Sequence, residues 1–278
     1  MWQRLAVLDR RWIFLAIGLA VVLPYVANKS LPLGTASQRV RDVYEYIETS
    51  KPGDAILLAV DYGPASMPEV HPMALAITRH ALKRNLRVLA MTINVQGALL
   101  IDDIFRQTAN DPELKGKVEG TDYVNLGFQP GGSLAILNMG ESIPKAFVED
   151  ARGRKTKTLP GMKGIRNYKD IRLVMALEST TGAETWIFYA HEKFGVKLAY
   201  GVTAVMSTGF YPYLGSGQII GLVNGMKGAA EYEDLIKRPD KAILGMTAQS
   251  ISHVAIILFV ILGNIGYFMT RPRRQRRR

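Results

Sequence analysis

The sequence predicts a three-layer α/β domain, Rossmann-like or flavodoxin-like with about five mainly parallel strands, flanked by N- and C-terminal transmembrane helices. Three features predict it. Between residues 55 and 206, short and nearly continuous apolar runs alternate with amphipathic stretches, the pattern of βαβ units whose strands are buried on both faces. Ile243–Met269 contains no Lys, Arg, Asp or Glu; as a helix its about 27 residues rise roughly 40 Å, more than the roughly 30 Å of a bilayer core. That run ends on Arg271-Pro-Arg-Arg-Gln-Arg-Arg-Arg278, a basic stop of the kind that stays on the cytoplasmic side.

The other end is similar but shorter. Met1–Arg11 is a basic head, and Trp12–Ala27 is apolar throughout, slightly short for a span. It reads either as an uncleaved anchor or as a signal peptide removed near Ala27. The expected divisions are therefore 1–28 (head and anchor), 29–242 (α/β domain), 243–269 (second span) and 270–278 (Arg-rich tail). With both ends basic, the positive-inside rule places the domain outside the cytoplasm of a cell membrane and the C-terminus inside it. Lys237, Arg238 and Lys241 run against that rule, and an N-terminal segment that does not span would leave the domain in the cytoplasm. The net charge is +11, and six arginines of the tail supply most of it. A nucleic-acid binder would show its basic excess on the folded domain, so nucleic acid is not an expected partner. The chain has no cysteine, which removes disulfides and thiolate chemistry.

Within the domain, Ser37–Thr49 has helical spacing in Val40, Val43, Tyr44 and Ile47 and leads in from the first span. Strands are expected at Ala55–Val60, Arg87–Ile93, Tyr123–Gly127, Ile171–Leu177 and Lys197–Met206. Helices are expected at Pro72–Asn85, with Pro72 in the first turn, at Ala98–Thr108 and at Thr185–Phe194, stopped by Gly195. Ser133–Leu137 reads as a helix or a turn. Gly217–Ile236 reads as one long final helix. Residues 141–168, rich in Lys, Arg, Gly and Pro, read as an irregular excursion or an inserted hairpin.

Ligands of open α/β sheets bind beyond the carboxyl ends of the strands. That rule gathers Asp61, His71, Ser133, Glu178, Glu184 and Ser216 on one rim. Asp61, His71, Ser133 and Glu178 are the candidates for acid–base or nucleophilic chemistry, the basis of an alternative function as an anchored hydrolase or transferase. Gly131-Gly132-Ser133 and Gly215-Ser216-Gly217 could present backbone N–H groups to a small anion, a second alternative. The competing account is plain turn chemistry, with Ser as an N-cap after glycine. Neither loop is a P-loop or a dinucleotide fingerprint. No G-x-S-x-G elbow and no H-E-x-x-H occurs, and no cofactor or metal is expected.

Two features point to assembly instead. Gly217, Gly221, Gly225 and Gly228 would share one face of the last domain helix, at a cost of about 1 kcal/mol per interior glycine. Close packing would offset it, either on the chain's own sheet or on another helix. Gln249, Ser250, Ser252 and His253 make half of the second span polar, which is unfavourable in lipid unless the groups meet protein or lie near the interface. Gly217, Gly221, Gly225, Gly228, Gln249 and His253 are thus the candidate interface. The expected function is a non-catalytic scaffold or binding subunit of a membrane assembly, with membrane lipid and other membrane subunits or a second copy as partners.

Overall fold

A computed structural model describes residues 9–32, 34–180 and 182–270. Arg4 of the basic head and the arginines of the tail lie outside the described residues. The chain forms two compact units, one of residues 33–242 and one of residues 1–32 with 243–278.

The first unit is an α/β domain on a single parallel sheet. Its elements run α2 (Gln38–Glu48), β1 (Ala55–Asp61), α3 (Met67–Lys83), β2 (Arg87–Thr92), α4 (Gly97–Ala109), β3 (Tyr123–Phe128), α5 (Ser133–Ala146), β4 (Leu173–Glu178), α6 (Glu192–Phe194), β5 (Leu198–Val202), α7 (Ser207–Gly215), β6 (Leu222–Asn224) and α8 (Gly225–Leu235). The strand order is β3-β2-β1-β4-β5-β6, so the order reverses between β1 and β4. Every residue of β1 and β4 is buried, as two-faced strands require. One core is built from Ala55, Leu57 and Ala59 of β1 with Ile136 and Met139 of α5, Trp186, and Phe210 of α7. On the opposite face α3 packs against α8 and α4.

Five strands fall within two residues of their expected starts. The sixth was expected as helix. Gly217–Ile236 is not one helix: Leu222–Asn224 pairs with β5, and α8 begins only at Gly225, whose φ of +59° breaks any helix entering it. The β-branched Ile219, Ile220 and Val223 between glycines favour a strand. The four glycines therefore share no helix face. A Cβ on Gly221 would sit 2.6 Å from Val43 Cγ2 and 2.7 Å from the Arg39 carbonyl oxygen, and one on Gly228 would sit 3.1 Å from the Val223 backbone. Both glycines are spent on packing inside the domain, and Gly217, at φ +78°, turns the chain between α7 and β6.

Three smaller differences have physical causes. α3 begins at Met67 with Pro68 in its first turn, and Pro72 lies inside it. Ile187–His191 is a π-helix that continues into α6, and Gly195 stops it at φ +71° as expected. Residues 147–170 form three 3₁₀ turns rather than a loose excursion. Leu159, Met162, Ile165 and Tyr168 of this segment are buried in the core, and the Tyr168 hydroxyl donates to the Ile136 carbonyl at 2.8 Å. The segment does the covering work of a crossover helix.

The second unit contains α1 (Arg10–Ala27) and α9 (Lys241–Thr270), which begins at the domain's last residues. Both helices are long and apolar enough to cross a membrane. Asn28 closes α1 in the left-handed conformation. The Leu31 N–H donates to Thr247 Oγ1 at 3.0 Å.

Gly221→Ala is expected to cost about 1–3 kcal/mol, the range for overpacking a filled site. Chemical denaturation checks it; unchanged stability would contradict the packing role.

Candidate functional site

The reversal point of the sheet is the expected ligand position of an open α/β fold, and two carboxyl groups occupy it. Asp61 ends β1, Glu178 ends β4, and the two are register partners. The strand period of two carries them to the same face as Ala59 and Ala176. Both are buried. Asp61 accepts from the Ile93 N–H at 2.7 Å, from the Thr92 hydroxyl at 2.9 Å and from Trp186 Nε1–H at 3.4 Å. Glu178 accepts from the Thr180 hydroxyl at 3.4 Å. Tyr200 closes the space from β5, donating to the Ala183 carbonyl at 2.7 Å.

Burial pushes both carboxyl pKa values up. For Asp61 the donors from Ile93, Thr92 and Trp186 resist that push. For Glu178 the charge of Asp61 and a hydrogen bond to it push further in the same direction. The internal donors favour the charged form of Asp61, while the neighbouring charge adds to the effect of burial at Glu178. Both groups are closed to solvent.

The remaining candidates stand apart from the pair itself. His71 faces the α4 side, where Nδ1 lies 2.8 Å from the Tyr62 hydroxyl and Nε2 3.0 Å from Asp103 Oδ2. Burial lowers its pKa, against the opposing pull of Asp103. A neutral ring donating to Asp103 and accepting from Tyr62 satisfies both contacts. Ser133 is the first residue of α5, and the cap position belongs to Gly132, so Ser133 is no N-cap. Gly131 and Gly132 are at φ +111° and +55°. Glu184 is half-buried and raises Glu178 through its charge. Gly215-Ser216-Gly217 follows α7, which has already run from the carboxyl end of β5 to the amino end of β6. It is thus at the opposite edge from the rim, and the Ser216 hydroxyl is spent on Gln218 at 2.7 Å. The rim thus carries Asp61, Ser133, Glu178 and Glu184, with His71 in the helix that follows β1, and excludes Ser216.

The signals missed were Trp186 and Thr92, which supply donors to Asp61, and the chemistry of the rim loops. Residues 62–68, 93–99, 128–134, 179–183 and 203–211 contain no Lys, Arg, Asp or Glu. They expose Val95, Leu99, Phe128, Leu134 and Val205, with Leu99 at 78% and Val205 at 88% exposure. The first carboxylate beyond them on α3, Glu69, is turned to the Ala204 N–H at 2.8 Å.

Charge collects instead where helices end. A cavity of about 390 Å³ opens beside the C-termini of α2, α3 and α8, lined in part by Tyr44, Arg79, His80, Lys83 and Arg238. Basic residues at helix C-termini offset the carbonyl ends. They are also ion-paired: Arg238 with Asp111 at 3.0 Å and Lys83 with Glu113 at 2.9 Å. His80 stacks on Tyr44 at 4.7 Å and bridges Tyr232 and Glu48, each at 2.8 Å. Among the described residues, no group of three or more His, Asp or Glu could hold a metal ion.

In comparisons with protein-family models, curated proteins and solved structures, nothing matches the chain.

Asp61→Ala is expected to strand the Ile93 and Trp186 donors and cost about 1–3 kcal/mol per unsatisfied group, read by chemical denaturation. The pH dependence has two opposing parts. Glu178 is raised on folding, so its contribution is complete below its free value of 4.5, declines above it and is lost once pH passes the raised value. His71 and His80 are lowered, so theirs is complete above 6.5 and is lost as pH falls toward the folded values. Asp61 is raised in the same direction, so Glu178→Gln should reduce the alkaline decline of the melting temperature without abolishing it, and leave the acid limb unchanged.

Proposed function

We propose that the chain is a membrane-anchored, Rossmann-like binding subunit of a membrane protein assembly, not an enzyme. The observation that carries this is a set of uncharged rim loops with exposed apolar side chains, above a closed carboxyl pair. Phosphate-bearing ligands need cationic or N–H donors, and no rim loop contains Lys or Arg. Acid–base catalysis needs a proton within reach of substrate, whereas Asp61 and Glu178 are buried. What the rim does offer is Val95, Leu99, Phe128, Leu134 and Val205, a surface that a protein partner covers without desolvating charge.

Anchoring rests on the length and composition of α1 and α9. Under the positive-inside rule the domain lies outside the cytoplasm, with the tail inside. The runner-up, an anchored hydrolase or transferase, draws on one feature: the buried, register-paired carboxyls at the sheet's reversal point resemble paired catalytic carboxyls.

Purification of the full chain in mild detergent tests the proposal. It should leave the membrane with at least one other protein, and Val205→Asp together with Leu99→Asp should release that partner while circular dichroism and melting temperature stay unchanged. Release of the chain alone, or a partner indifferent to both substitutions, contradicts rim docking. Hydrolytic activity lost in Glu178→Gln would favour the runner-up.

A further inference from the structure

Gln249 and His253 lie on one side of α9, and α1 lies on the other. At about 100° per residue, Thr247 and Ile251 are each about 160° around the helix from Gln249. These two line a crevice with Ala20, Leu23 and Pro24 of α1, and Thr247 accepts the Leu31 N–H. On the opposite side, Gln249, His253, Ile256, Val260 and Gly263 follow one another at steps of four, three, four and three, the spacing of a helix–helix seam. All five are exposed. A Cβ on Gly263 would meet nothing within 4 Å.

Two other polar side chains of α9 bond to their own helix, and Ser250 is exposed about 100° around from Gln249. Ser252 donates to the Ala248 carbonyl at 2.8 Å, and Asn264 to the Val260 carbonyl at 2.8 Å. Gln249 and His253 have no such partner among the described residues. An amide and an imidazole facing hydrocarbon are costly, so something should meet them. Apolar packing alone cannot specify a seam in a helix that is apolar all round. The two unsatisfied groups and the open glycine can.

We infer that α9 pairs in parallel with α9 of a second copy of this chain, through Gln249, His253 and Gly263. This rests on the proposal that α9 spans a bilayer. The argument for a second copy is self-complementarity. A carboxamide carries both donor and acceptor, and so does a neutral imidazole. In a parallel pair, identical residues meet at identical depth, so Gln249 satisfies Gln249 and His253 satisfies His253 with no foreign group required. Gly263, nearly three turns beyond His253, lets the backbones approach closely on the same side.

The absence of cysteine makes the test direct. Single-cysteine variants Ile256→Cys and Val260→Cys, on the seam, and Leu258→Cys, on the opposite side, are oxidised in native membranes. Both seam variants should give a covalent dimer of twice the chain mass and Leu258→Cys should not, since disulfides need Cβ atoms within about 4.5 Å. Adding Gln249→Leu with His253→Leu to Val260→Cys should abolish the dimer, and Gln249→Asn should retain it. Equal crosslinking at 256 and 258, no dimer, a dimer indifferent to the double substitution, or an adduct of another mass each overturns the inference. Alkaline carbonate extraction of the same membranes separates the two levels. A chain that resists extraction but forms no dimer is anchored without this pairing. A chain that is released contradicts the anchoring as well.

Discussion

A buried carboxylate at the sheet's reversal point sets conditions for most of what surrounds it. Asp61 is closed from solvent, and an unpaired charge there would cost several kcal/mol. Each donor to it comes from a different place: the turn after β2 through Ile93, the end of β2 through Thr92, and the approach to the π-helix through Trp186. Glu178 is its register partner on β4. Beside the β1–β4 ladder, the Asp61 side chain also ties β1 to the end of β2 and to Trp186 beyond β4. Removing the charge would relieve the burden, but the donors would then be left without an acceptor, so the group and its surroundings depend on one another.

The same economy governs the histidines. His71 and His80 each lie between a tyrosine hydroxyl and a carboxylate. In both, burial disfavours the charged ring and the acid opposes it. Both hold α3 to a neighbour, His71 to α4 through Asp103 and His80 to α8 and α2 through Tyr232 and Glu48. Polar groups at these positions are thus used as internal fasteners, and the rim loops themselves contain no Lys, Arg, Asp or Glu.

Sequence legibility follows this division. Strands such as Ala55–Asp61 were readable because burial on both faces demands an unbroken apolar run, which no turn or surface helix imitates. The rim neighbours Asp61 and Glu178 were readable because strand ends follow from strand starts. Ser216 was misplaced because a three-residue strand, Leu222–Asn224, carries too few residues to show a period. With β6 unseen, α7 and the turn after it could not be assigned to the edge where they belong. Trp186 was not readable as a partner of Asp61, since the two are 125 residues apart and nothing local records their contact. The glycines at 217, 221, 225 and 228 illustrate the opposite hazard. Their spacing mimics a helix face, yet each answers a separate demand: a turn at 217, contact with Val43 at 221, a helix start at 225 and contact with Val223 at 228.

Fold and function constrain one another at the rim. A catalytic role for Glu178 would require water or substrate to reach its proton, and the groups in the way are those that make Asp61 tolerable. Opening the site would move Trp186, or the Ala183 carbonyl that Tyr200 holds, and would expose a charge whose donors are all internal. The cost of such an opening is the cost of dismantling the junction between β1, β2 and β4. A rim that instead recognises its partner from outside needs no such motion. Its loops carry no charge to desolvate, and its exposed valines and leucines lose only water on contact. The stability of the carboxyl pair and the availability of the surface above it are then two results of one arrangement, because charges satisfied within the fold are not presented at its rim.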